Sequence, residues 1–171
     1  MFANQSRAIY EVLRERQLIA PERLAAANDE AKATGTPLAD ALLAHGLIGK
    51  PALLANVADH CGCEFLSDAP ATLPSDTVAT LPANLARRHG VIPWRVHDRH
   101  LDLLAQDPFN EQTAGDLAFA LGRNVRLVVA DPDCVETLIE RYYGEKAVSG
   151  GERKREIETA EDERDRRNLV R

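Results

Sequence analysis

The residues with the strongest chemical character fall in three places. His60-Cys61-Gly62-Cys63-Glu64 sets four ligand-type side chains within five positions. Imidazole, thiolate and carboxylate together suit zinc, but structural zinc sites use two ligand pairs at set spacings, and no second pair follows. The segment therefore reads as ordinary thiols, and no metal or cofactor is expected. The second place is the basic run Arg87-Arg88-His89, with Arg95, His97, Arg99 and His100 close behind. Guanidinium groups pair with phosphates and carboxylates. Arg87, Arg88, Arg95 and Arg99 are accordingly candidates for docking an acidic partner, against the plainer reading of solvated helix and hairpin faces. The third is Asp131 and Asp133, which read as a helix start rather than a catalytic pair.

No catalytic set emerges from these residues. The sequence has no GxxxxGK[ST] phosphate loop, and Gly150-Gly151 followed by charge is not one. No Ser/His/Asp or Cys/His spacing stands out. The expectation is a chain that is not an enzyme. A net charge of −6 argues against a nucleic-acid partner, which calls for a basic footprint. No apolar run is long enough to cross a bilayer, and the N-terminus lacks a signal-peptide pattern. Cys61, Cys63 and Cys134 cannot all pair, and they fit reduced thiols in the cytoplasm.

The element that must position these residues is written twice. Ala8–Ala31 and Pro37–His60 align at one offset, with Ile9 on Leu38, Leu13 on Leu42, Leu18-Ile19 on Leu47-Ile48 and Leu24 on Leu53. A repeated apolar frame means one supersecondary unit used twice, each copy covering the other. Pro21 and Pro51 sit where a second helix would begin, at positions that need no N–H. Each copy reads as helix, tight turn, helix, with the Leu-Ile pair as a buried corner. Residues 1–6 read as frayed.

The second half changes period. Ala83–His89 is a short helix ended by Gly90. Val91–Val96 and Leu101–Ala105 flank His97–His100 as a hairpin, with Pro93 marking an edge or interrupted strand. Asn110–Leu121 reads as a helix, Val125–Val129 as a strand, and the stretch from Asp131 to Tyr143 as a last helix. The fold class expected is α+β: an N-terminal helical bundle built from a tandem helix-turn-helix repeat, then a small layer with a mainly antiparallel three-stranded sheet, one face covered by helices. The expected organisation is a repeat subdomain over 1–67, a connector over 68–82 rich in Pro and Asp, an α+β subdomain over 83–144, and a charged linker over 145–171.

Several blocks, in this order, resemble a known family. The doubled frame is followed by Leu85-Ala86-Arg87-Arg88-His89-Gly90-Val91-Ile92-Pro93, then Asp107-Pro108-Phe109-Asn110, Phe119–Val125 and Ile139–Gly144. Across residues 8–144 the series is similar to the N-terminal domain of the traffic ATPases that drive type II secretion and type IV pilus assembly, the general secretory pathway protein E group. The resemblance implies a non-catalytic adaptor at the cytoplasmic face of the inner membrane. Its partners would be a membrane platform protein and a motor ATPase domain placed C-terminally or in trans. Similar modules are attached to bacterial glycosyltransferases, which is the alternative setting. One branch, typified by the mannose-sensitive haemagglutinin pilus ATPase, binds cyclic di-GMP through the doubled repeat, each copy opening Arg-Leu-Gly and ending in Gln. Here Ala8 and Pro37 replace the Arg, Tyr10 and Ala39 the Gly, and Ala31 and His60 the Gln. The resemblance thus implies at most a degenerate cyclic di-GMP site at Arg7, Ile9, Leu13, Leu38, Leu42 and His60, its apolar frame kept and its polar grip lost.

Overall fold

The structure, a computed structural model, describes residues 2–144; the segment expected to be a charged linker, 145–171, lies outside the described residues. The repeat folds as α1 (Ser6–Glu15), α2 (Pro21–Thr34), α3 (Leu38–Ala44) and α4 (Lys50–Cys61). Prolines open α2 and α4. Ile9, Leu13 and Leu24 of the first copy and Leu38, Leu42 and Leu53 of the second are at most 1% exposed and share one core. Each such side chain contributes about 1.5–3 kcal/mol on burial, so these six positions account for why the frame recurs.

Two local expectations need correcting. The Leu-Ile corners are not buried as pairs: Ile19 is 7% exposed but Leu18 is 47% exposed, and Leu47 and Ile48 are half-buried. In the second copy both side chains pack part-way against the repeat core, whereas in the first only Ile19 is buried and Leu18 turns outward. Nor is the N-terminus frayed from residue 2. Phe2 is buried, its ring edge-on to Phe109 at 5.8 Å, and Gln5 Nε2 donates to Asp107 Oδ2 at 3.1 Å.

The second half comprises β1 (Glu64–Phe65), α5 (Ser75–Val78), α6 (Ala83–His89), β2 (Val91–Val96), β3 (His100–Ala105), α7 (Glu111–Leu121), β4 (Asn124–Val129) and α8 (Pro132–Tyr143). The sheet has four strands in the order β1-β4-β3-β2. Only β2–β3 is antiparallel; β3–β4 and β1–β4 are parallel. The expected three-stranded, mainly antiparallel sheet is therefore corrected to a mixed one. The physical reason is α7, because a helix between two neighbouring strands returns the chain to its starting end and makes them parallel. The fourth strand is the short exit after α4, which lies before the connector 68–82 yet pairs with β4. Pro93 sits on edge strand β2, where the pairing register shifts between Pro93 and Arg95.

Leu101 to Ala105 are buried without alternation, as expected for a strand covered on both faces. Val129 belongs to the core of the repeat bundle and its neighbour Val128 to the second core with α6 and α8. The sheet is thus a middle layer rather than one with a single covered face.

Residues from α8 hold the segment 68–82. Tyr143 Oη donates to the Val78 carbonyl at 2.7 Å, Tyr142 Oη accepts from Leu73 N at 2.7 Å, and Arg141 donates to the Ala71 carbonyl. No described helix is long and apolar enough to cross a membrane.

Candidate functional site

The outer face of the first repeat carries a cleft of about 660 Å³. Arg7, Tyr10, Glu11 and Arg14 line it from α1, Asn28 and Lys32 from α2, and Gly35-Thr36 from the loop after α2. The spacing of Arg7, Glu11 and Arg14 puts them on one side of α1. Arg7 is highly exposed and pairs with Glu11 at 3.2 Å. Three cations against one carboxylate, beside a tyrosine ring, suit an anion with an attached aromatic group.

Of the residues expected at a ligand site, the cleft gathers only Arg7. Ile9, Leu13, Leu38 and Leu42 are 0% exposed and pack inward. His60 is exposed at the end of α4, its ring centroid 6.4 Å from that of Phe109. It lines a different hollow with Cys61 and Cys63. Ala39, which stands where a glycine would let a ligand approach, is itself 0% exposed. Burial pushes the Cys63 thiol up, away from thiolate reactivity. Sequence reasoning missed Arg14, Asn28 and Lys32; the signal available was the polar stripe of α1 continued onto α2.

The four candidate docking arginines diverge. Arg87 Nη1 donates to the Tyr143 carbonyl at 2.8 Å, so it satisfies the end of α8. Arg88 is exposed on α6. Arg95 lies over the Trp94 ring at 5.0 Å and 3.6 Å from Glu64. Arg99 is exposed at the hairpin turn and shares a shallow hollow with Ala118 and Arg123. Arg123 Nη2 donates to the His97 carbonyl at 2.8 Å, tying the turn to the end of α7. One position along from Ala118, Phe119 is 92% exposed. The hairpin end thus carries cations beside Asp98, and the last turns of α7 carry an exposed aromatic ring.

A family model described as the MshEN domain matches residues 61–149. The type IV pilus assembly ATPase PilB of Myxococcus xanthus is 30% identical over 139 residues, 81% of this chain and 25% of the relative. The chain therefore spans about a quarter of that relative's length. A solved structure of MshE with cdg superposes with a TM-score of 0.65 at 24% identity, covering 79% of this chain and 98% of that one. The N-terminal domain of XpsE superposes with a TM-score of 0.54 at 26% identity, covering 80% and 94%.

Proposed function

The chain belongs to the MshEN domain family, and on that premise we propose that it is a non-catalytic adaptor of a pilus-assembly or secretion ATPase. It docks the motor to a partner at the cytoplasmic face of the inner membrane. The observation that carries this reading is the match to a PilB assembly ATPase over 81% of this chain. The hairpin end supplies a surface of suitable chemistry. Arg99 and Arg123 would meet carboxylates, and Phe119 would enter an apolar pocket, since aromatic and Arg anchors dominate protein interfaces. The braced connector suits a coupler, because a stiff body transmits force that a hinged one absorbs. The test is capture of cytoplasmic domains from the cognate membrane platform by the whole chain; failure to retain any of them counts against the proposal.

A second reading rests on the cleft of the first repeat. Arg7, Arg14 and Lys32 could hold the phosphates of a cyclic dinucleotide, the ligand class named for the MshE structure. The inward packing of Ile9, Leu13, Leu38 and Leu42 and the buried Ala39 disfavour the two-copy mode. Calorimetry with cyclic di-GMP separates the two. Micromolar binding lost in Arg14→Ala supports the receptor reading, and no heat supports the adaptor alone.

A further inference from the structure

His97, His100 and Asp102 converge at the β2–β3 hairpin. His97 Nε2 is 2.9 Å from Asp102 Oδ2, and His100 Nε2 is 3.4 Å from Oδ1. The two rings stack with centroids 4.1 Å apart and planes 17° from parallel, so both present Nε2 to one carboxylate. Asp102 is only 5% exposed in its side chain, and its Oδ1 accepts no hydrogen bond. A buried carboxylate oxygen that accepts no hydrogen bond is costly and needs an explanation.

We propose that His97, His100 and Asp102 form a three-ligand site for a borderline divalent cation of the zinc class, with a fourth position open to solvent. One candidate ligand atom from each residue can be chosen so that all lie within 4.8 Å of one another. A zinc ion bound to two imidazoles and a carboxylate at angles between about 90° and 110° holds its ligand atoms about 2.9 to 3.4 Å apart. The two separations, one to each carboxylate oxygen, fall in that range, and closure requires the stacked rings to turn out of parallel so that both Nε2 lone pairs meet one ion. The backbone is already fixed: His97 N donates to the His100 carbonyl at 2.9 Å, and Arg123 holds the His97 carbonyl. His100 and Asp102, two apart on β3, share a face of the strand.

The charges around the site decide its strength. Arg126 Nη1 lies 3.5 Å from His100 Nε2. A guanidinium can only donate, so this contact presents the Nε2 lone pair that a metal would take. Metal binding displaces Arg126 into solvent. Arg126 therefore weakens the site without contributing a ligand.

The test is zinc titration of the whole chain in a Cys61→Ser/Cys63→Ser/Cys134→Ser background, which removes competing thiolates, with cobalt absorption as the second readout. One equivalent is expected to bind, with a cobalt spectrum free of thiolate charge transfer. Affinity should fall about 100-fold in His97→Ala and rise about tenfold in Arg126→Ala. His97 is at the surface, so its replacement keeps the test valid if Asp102→Asn fails to fold. Absence of binding in the thiol-free background, or binding indifferent to His97→Ala, overturns the proposal.

Discussion

The Lys50 ammonium stands 2.7 Å from Asp131 Oδ1, so the helix opening the second half of repeat two is clamped to the residue that caps α8. Asp131 also accepts from the Asp133 amide, and Asp133 takes the same ammonium at 2.7 Å. The group is partly exposed, and such pairs are worth about 1 kcal/mol or less. Lys50→Met should lower stability by about that amount, read as a shift in the urea midpoint with an unchanged slope.

The same brace sets a pH dependence. The Lys50 hydrogen bond holds the Asp133 carboxyl below its ordinary value. Its contribution is complete above the unfolded carboxylate range and is lost as pH falls through the folded value. Burial pulls Lys50 down, but hydrogen bonds and charge from Asp131 and Asp133 outweigh it and leave the pKa raised. That contribution is complete below the ordinary lysine value and fades as pH rises through the folded one. The melting difference between wild type and Lys50→Met should be flat through neutrality and shrink below about pH 4 and above about pH 10. A difference that widens in acid contradicts the assignment.

Gln17 and Gly46 occupy equivalent corners of the two repeats, with φ of +51° and +60°. A side chain in this left-handed region is strained, and glycine is not. Gln17→Gly is expected to stabilise the chain by up to about 1 kcal/mol, and Gly46→Ala to destabilise it by about 1 kcal/mol. Thermal melting of the two single variants checks the opposite signs.

Tyr143 is buried, its pKa is pushed up by that burial, and its hydroxyl serves the Val78 carbonyl. Tyr143→Phe leaves that acceptor without its donor and should cost about 1–2 kcal/mol. Limited proteolysis should then cut faster within 68–82, because the connector has lost one of its ties to α8.

Much of the fold was legible where periodicity was strong. The offset linking Ile9 to Leu38 and Leu13 to Leu42 places all four in one core, as a doubled frame requires. The helix from Asn110 was legible because Asn110 caps it, its side chain accepting from Gln112 N at 3.2 Å. The strand pairing was not. Glu64–Phe65 is too short to carry an alternation, and its pairing with β4 joins residues far apart in sequence. The candidate sites divided likewise. Arg7 is marked in the sequence only by its closeness to the repeat opening, and the cleft it lines with residues of α2 was not readable. The use of Arg87 to satisfy Tyr143 depends on tertiary packing that spacing does not encode. The His97, His100, Asp102 cluster had a readable spacing, but the burial that makes Asp102 unusual comes from the sheet around it.

Docking through the hairpin end is the proposed way in which this domain couples. The most direct measurement is the dissociation constant between the whole chain and the cytoplasmic domain of its assembly's membrane platform, for wild type and Arg99→Glu/Phe119→Ala. Saturable binding by the wild type, weakened about tenfold or more in the variant, is the predicted result. No binding, or equal binding by both, contradicts the account.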